Sequence, residues 1–156
     1  MMSRIPLVLA LLLVPANVLA GAGQSGQYTM HGPCRVRSTS GIPFDRTYDP
    51  ELIAKVSGPD SDLRIEISGE GLSCTLKGKK TGAKIALPKG QKCPVHTVRD
   101  GIEANVDGVL KTGSGTMKGK ELSLETHWDV DGTVKLFKDT KVTGLVDANI
   151  KGTRKP

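Results

Sequence analysis

The sequence predicts an all-β domain: an antiparallel meander of about 8–10 strands forming a small barrel or sandwich, after a cleaved signal peptide. Three observations carry this. Apolar and polar residues alternate at period two over most of the chain after residue 51. Glycine- and aspartate-bearing turns separate these runs. No stretch shows a convincing helical period, and only Pro50–Lys55 has the makings of a short helix.

The runs can be followed in order. Leu63, Ile65 and Ile67 alternate with Arg64, Glu66 and Ser68, and Leu72, Cys74 and Leu76 with Ser73, Thr75 and Lys77. Ile85 and Leu87 resume the pattern after the Gly78–Gly82 turn. Ile102, Ala104, Val106 and Leu110 keep one parity across Gly108, which predicts a continuous strand with Gly108 at a bulge. Leu122, Leu124, Trp128 and Val130 form the next apolar edge, and Val142, Val146, Ala148 and Ile150 the last. Asp131-Gly132 carries the composition of a tight two-residue hairpin, and Lys138-Asp139 lies between two runs. Residues 38–50 are turn-rich and predict a long loop. A one-residue slip would move every apolar side chain into water, so register is strongly specified.

The first 20 residues have a different character. Arg4 precedes the apolar run Leu7–Val14, and small residues follow Pro15. This is the pattern of a bacterial export signal, with cleavage after Ala20 or Ala22. The apolar run is too short to span a bilayer as a helix. Cysteine is absent around both cuts, which argues against a lipid-anchored N-terminus. The expected organisation is a signal peptide over 1–20, a flexible leader over 21–27, and a single all-β domain over 28–156. The expected location is the periplasm or the cell exterior, with no membrane span.

Composition narrows the function classes. Loss of Arg4 lowers the net charge from +6 to +5, a weak bias toward anionic partners. Only two Tyr, two Phe and one Trp are present. Stacking surfaces for sugars or single strands and the girdles of outer-membrane barrels need more aromatic residues. Nucleic acid is therefore not an expected partner.

Cysteine carries the sharpest local expectation. Cys34, Cys74 and Cys93 make an odd count in a chain bound for an oxidising compartment. Cys74 has the apolar parity of its strand and is expected as a buried free thiol. A strand near Ile85 intervening between Cys74 and Cys93 would hold them about 10 Å apart, beyond disulfide reach. The favoured bridge is therefore Cys34–Cys93. The same region offers His31-Gly-Pro-Cys34 and Cys93-Pro-Val-His96, two pairs that could hold zinc as a Cys2His2 cluster. The leading expectation has no cofactor, with zinc as the alternative.

Two further groups carry charge. Lys77, Lys79, Lys80, Lys84, Lys89 and Lys92 form a run without an intervening acid, suited to anionic envelope surfaces. Glu125, His127, Asp129 and Asp131 share the polar parity of one strand. Enzyme templates fail: Gly113-Ser114-Gly115 is too short for a nucleophile elbow, and neither a phosphate loop nor a His-Glu-x-x-His motif is found. The leading expectation is thus a non-enzymatic envelope protein acting through protein–protein contact or envelope assembly. The alternative is a lipocalin-like carrier holding a lipid or other apolar molecule in a barrel mouth. The metal protein comes third.

Overall fold

The computed structural model describes residues 25–99 and 101–156. The expected signal peptide and residues 21–24 of the leader lie outside them. The fold is nearly all strand: β1 (Gly26–His31), β2 (Cys34–Ser40), β3 (Asp45–Tyr48), β4 (Leu52–Ser57), β5 (Leu63–Gly69), β6 (Leu72–Thr81), β7 (Lys84–Leu87), β8 (Lys92–Arg99), β9 (Ile102–Lys118), β10 (Glu121–Lys135) and β11 (Asp139–Arg154). One turn of 3-10 helix, Asp60–Asp62, joins β4 to β5.

The strands form a single antiparallel sheet whose order brings it back on itself. It runs β1-β4-β5-β6-β7-β9-β10-β11, and β1 also pairs with β11. β7 and β8 share one place in this ring. β7 lies against Gly113–Thr116 of β9, and β8 lies against Ile102–Val109 of the same strand. β11 likewise divides one edge between two partners. Its residues Lys151–Arg154 pair with β1, and Thr143–Ala148 pair with β2. The chain crosses from one partnership to the other at Gly32-Pro33. There Gly32 has φ +148°, and a Cβ would stand 2.0 Å from the Asn149 carbonyl oxygen. Its amide donates to Asp49 Oδ1 at 2.8 Å, and Pro33 accepts from the Asn149 amide.

Alternation explains the core. Residues of one parity from every wall strand meet inside the ring, where Tyr28, Leu63, Ile65, Leu76, Leu122 and Leu124 are almost wholly buried. β9, β10 and β11 have 17, 15 and 16 residues, far more than the ring's other strands. Their distal halves therefore run past the core and form, with β2, β3 and β8, a flared sheet.

Several local expectations are corrected. Pro50–Lys55 is not helical: Leu52, Ala54 and Val56 face the core as alternate residues of β4. The predicted loop at 38–50 contains the end of β2 and all of β3, and Gly26 and Gln27 belong to β1 rather than to a leader. Asp131-Gly132 is not a turn. β10 continues to Lys135, and Gly132 is needed because a Cβ there would meet the Asn105 carbonyl oxygen at 2.1 Å. The continuous strand across Gly108 is observed, but the bulge falls at Lys111: His127 pairs with Thr112 and Trp128 with Leu110.

The disulfide is also corrected. Cys74 is bonded to Cys93, with Cα atoms 5.2 Å apart, and Cys34 is the free thiol. The expectation failed because β7 ends at Leu87. Beyond it β8 takes the same place beside β6, with Leu72 opposite Val95, so no strand separates the two cysteines. Cys34 lies on β2, with β11, β10 and β9 between it and β8, about 19 Å along the sheet at ordinary strand spacing.

Candidate binding face

The inner face of the flared sheet is the feature that the ring does not use up. Cross-strand register defines its rows. Leu110, Trp128, Val146, Val36 and Arg46 lie in one row, and Gly108, Val130, Gly144 and Ser38 in the next. Val106, Gly132 and Val142 form a third. Leu110 is buried, whereas Trp128, Val130, Val146, Val36, Val106 and Val142 are only half-buried. The apolar parity is thus sealed inside the ring and open to solvent beyond Trp128.

Trp128 stands at that boundary, packed against the core and donating its indole N–H to Thr126 Oγ1 at 2.9 Å. Gly108 makes this position accessible: a Cβ there would lie 3.3 Å from the indole ring and 3.2 Å from the Cys93 carbonyl oxygen. A Cβ on Gly144 would meet the Arg37 carbonyl oxygen at 2.5 Å. Gly108 and Gly144 therefore serve close packing of neighbouring strands. At the β3 edge, Arg46 lies over the Phe44 ring at 5.7 Å, and Phe44 stacks on Tyr48 with centroids 6.3 Å apart. Cys34 lies on the same face, opposite Ala148 and Tyr48. Burial, together with the Asp49 carboxylate, pushes its thiol up to about 11.

The opposite, outer face of β10 carries Glu125, His127, Asp129 and Asp131, as their parity predicts. His127 Nδ1 lies 2.7 Å from Asp147 Oδ1, its cross-strand neighbour, and Nε2 lies 3.5 Å from Glu125 Oε1. Arg37 donates to Asp147 Oδ2 at 3.0 Å, and Arg35 holds Asp45 through two hydrogen bonds of 3.0 and 2.8 Å. Asp129 pairs with Lys111 at 3.7 Å. The hydrogen bond to Asp147 is the main reason the His127 pKa is raised, and the same bond lowers that of Asp147. Two carboxylates around one imidazole favour imidazolium, a poor general base. Sequence reasoning found His127 but missed Asp147 and Arg37, which strand register alone brings to it.

The lysine run is divided. Lys77 and Lys79 on β6, Lys84 on β7 and Lys92 on β8 share the outer face, with Lys89 in the turn between β7 and β8. Lys80 has the inner parity and reaches Asp60 at 3.8 Å, so it leaves the patch. Arg64, opposite Lys77 across β5 and β6, joins it unforeseen. A surface groove of about 560 Å³ on this wall is lined by Lys55, Glu66, Ser68, Thr75 and Lys92.

The proposed zinc ligands are not brought together. Cys93 is consumed by its disulfide, His96 on β8 contacts Asn105, and His31 and Cys34 lie on β1 and β2. Among the described residues no group of three or more His, Cys, Asp or Glu side chains is placed so that it could hold a metal ion. Comparison with family models, curated proteins and solved structures finds no match to any of them.

Proposed function

We propose that this is an exported, non-catalytic binding protein of the bacterial envelope, in the periplasm or outside the cell. Its partner is another envelope protein, engaged through the open inner face of the flared sheet. The observation that carries this reading is the half-buried apolar surface of Val36, Val106, Trp128, Val130, Val142 and Val146, which continues the core parity with no further strand among the described residues layered over it. A shallow open face suits a macromolecule. Small-molecule sites bury most of their ligand in an enclosed cavity, and here the ring interior is filled by its own side chains. The disulfide fits the oxidising compartment that the N-terminal pattern implies. The outer lysines suit an anionic envelope surface as a secondary contact.

A second reading, a carrier for a lipid or other apolar molecule, is favoured by one observation. The aliphatic rows run without a charged interruption from Val146 to Val142 and from Trp128 to Val134 on the inner parity. Native mass spectrometry of the protein purified from its own envelope separates the two. A co-purifying polypeptide that Val130→Asp removes supports the first, and a bound lipid that the same change removes supports the second. A bare monomer in the wild type would sink both. As the only tryptophan, Trp128 gives an optical check, with its emission moving to the blue when the face is covered.

A further inference from the structure

The end of β8 and the start of β9 lie beside the turn joining β10 to β11, because Val98 pairs with Glu103 and Glu103 with Lys135. Of the six large apolar side chains exposed among the described residues, Val98, Ile102, Leu136 and Phe137 are gathered at this one end. Phe137 is fully exposed, although the chain has only two phenylalanines to place. Lys135, Lys138 and Lys141 are exposed around it, and among the described residues Asp139 and the half-buried Glu103 are the nearby acids.

We infer that this end of the molecule docks on a lipid bilayer bearing anionic headgroups. Leu136 and Phe137 enter the boundary between headgroups and acyl chains, and the three lysines meet the phosphates. Shape and charge select a bilayer over a protein. Phe137 projects fully exposed from the turn between β10 and β11, and a protein would have to supply a matching pocket, whereas lipids close around a protrusion. Lysine adds to this by laying its aliphatic stem along apolar surface while its ammonium stays in the headgroup layer. Because Asp139 and Glu103 offset part of the charge, apolar insertion is the main anchor and salt weakens binding only in part. The contact is peripheral: among the described residues no helix is long and apolar enough to cross a membrane. Ile102 and Leu136 continue the inner parity past Ala104 and Val134, so this contact borders the far end of the inner face, three rows beyond Val130.

Co-sedimentation of the mature protein with mixed phosphatidylcholine–phosphatidylglycerol vesicles, and with phosphatidylcholine alone, tests this. The wild type pellets with the mixed vesicles, and Leu136→Ser/Phe137→Ser lowers its partition coefficient about tenfold or more. Lys135→Gln/Lys138→Gln weakens binding only where phosphatidylglycerol is present. Both changes lie at an exposed turn, and unchanged Trp128 emission verifies that each variant folds. The inference is overturned if the wild type stays in the supernatant with both vesicles, or if the serine variant pellets equally well. It is also overturned by a wild-type dimer that the serine variant returns to monomer, since a second copy would then cover the turns. Val130→Asp leaves vesicle binding intact, which keeps this result distinct from the test of the inner face.

Discussion

Cys74 and Cys93 meet across a stretch of the ring where main-chain pairing between β6 and β8 is reduced to Leu72 opposite Val95. Pro94, beside Cys93, has no amide hydrogen to give to β6. Chain entropy for a loop of 19 residues assigns the bond about 3 kcal/mol. Denaturation with and without a reductant should therefore show a loss of about 2–4 kcal/mol, while Cys34→Ser has little effect. Thiol titration of the native protein should find one slow-reacting cysteine, because little of the Cys34 thiol ionises near neutral pH. Three free thiols in unreduced protein, or a single free thiol that maps to Cys74 or Cys93, would contradict the pairing.

Gln91 completes the same wall one step further along. Its carbonyl accepts from the Lys77 amide at 2.7 Å, and its amide donates to the Lys77 carbonyl at 2.8 Å. One side chain thus stands in for a missing strand residue. Gln91→Leu should lower stability by about 1–2 kcal/mol, measured by urea unfolding. Combined with loss of the disulfide, the effect should depart from additivity, because both hold one seam. Strict additivity would mean that the two act independently.

His127 and Asp147 set a pH window. A raised imidazole pKa means that the folded state binds the proton more tightly than the unfolded chain. The resulting stability is fully present below the free-imidazole value of about 6.5 and is lost as pH rises through the folded pKa. Asp147 acts oppositely. Its lowered pKa contributes above the free-carboxyl value of about 3.9 and is lost as pH falls through the folded pKa. The pair is therefore strongest between about 4 and 6.5. Exposure keeps the effect small, and His127→Gln should flatten the denaturation midpoint between pH values of about 5.5 and 8 relative to wild type. An unchanged pH profile would dissociate this pair from stability.

Gly32→Ala should destabilise by about 2 kcal/mol or more, since it forces a side chain into a positive-φ position against the Asn149 carbonyl. Gly82→Ala is the comparison: it also has positive φ, but nothing lies within 4 Å of the added carbon. Thermal unfolding of the two variants separates backbone strain from collision, and equal losses would show that the crossing at Gly32 is not crowded.

Parity was legible in the residues themselves. Leu122, Leu124, Ile65 and Ile67 face inward as their alternation requires, because a half-buried strand leaves a period-two record. Turn chemistry was less readable. Asp131-Gly132 has the composition of a hairpin, yet its glycine answers to the nearness of the Asn105 carbonyl, a contact some 27 residues away that no local pattern encodes. Pro50–Lys55 failed for the opposite reason: three inward residues are too short a run to separate helix from strand. The disulfide and the His127–Asp147 pair depended on which strand lies beside which. A short β7 that yields its place to β8 changes that neighbourhood without altering any residue of the cysteine pattern. The open inner face was present in the sequence as parity, but not as exposure. Only the excess length of β9, β10 and β11 over the rest of the ring determines where burial stops.

The pairing of β1 with Lys151–Arg154 has a consequence for how the molecule is made. The first strand stays half-partnered until the last one has emerged, so the ring is completed by the most distant contact in the chain. Assembly is accordingly slow compared with that of a protein built from local hairpins. Joining the two ends and opening the chain at the Gly82 turn would turn that late contact into an early one, and the permuted protein should reach its native state faster than the natural order allows.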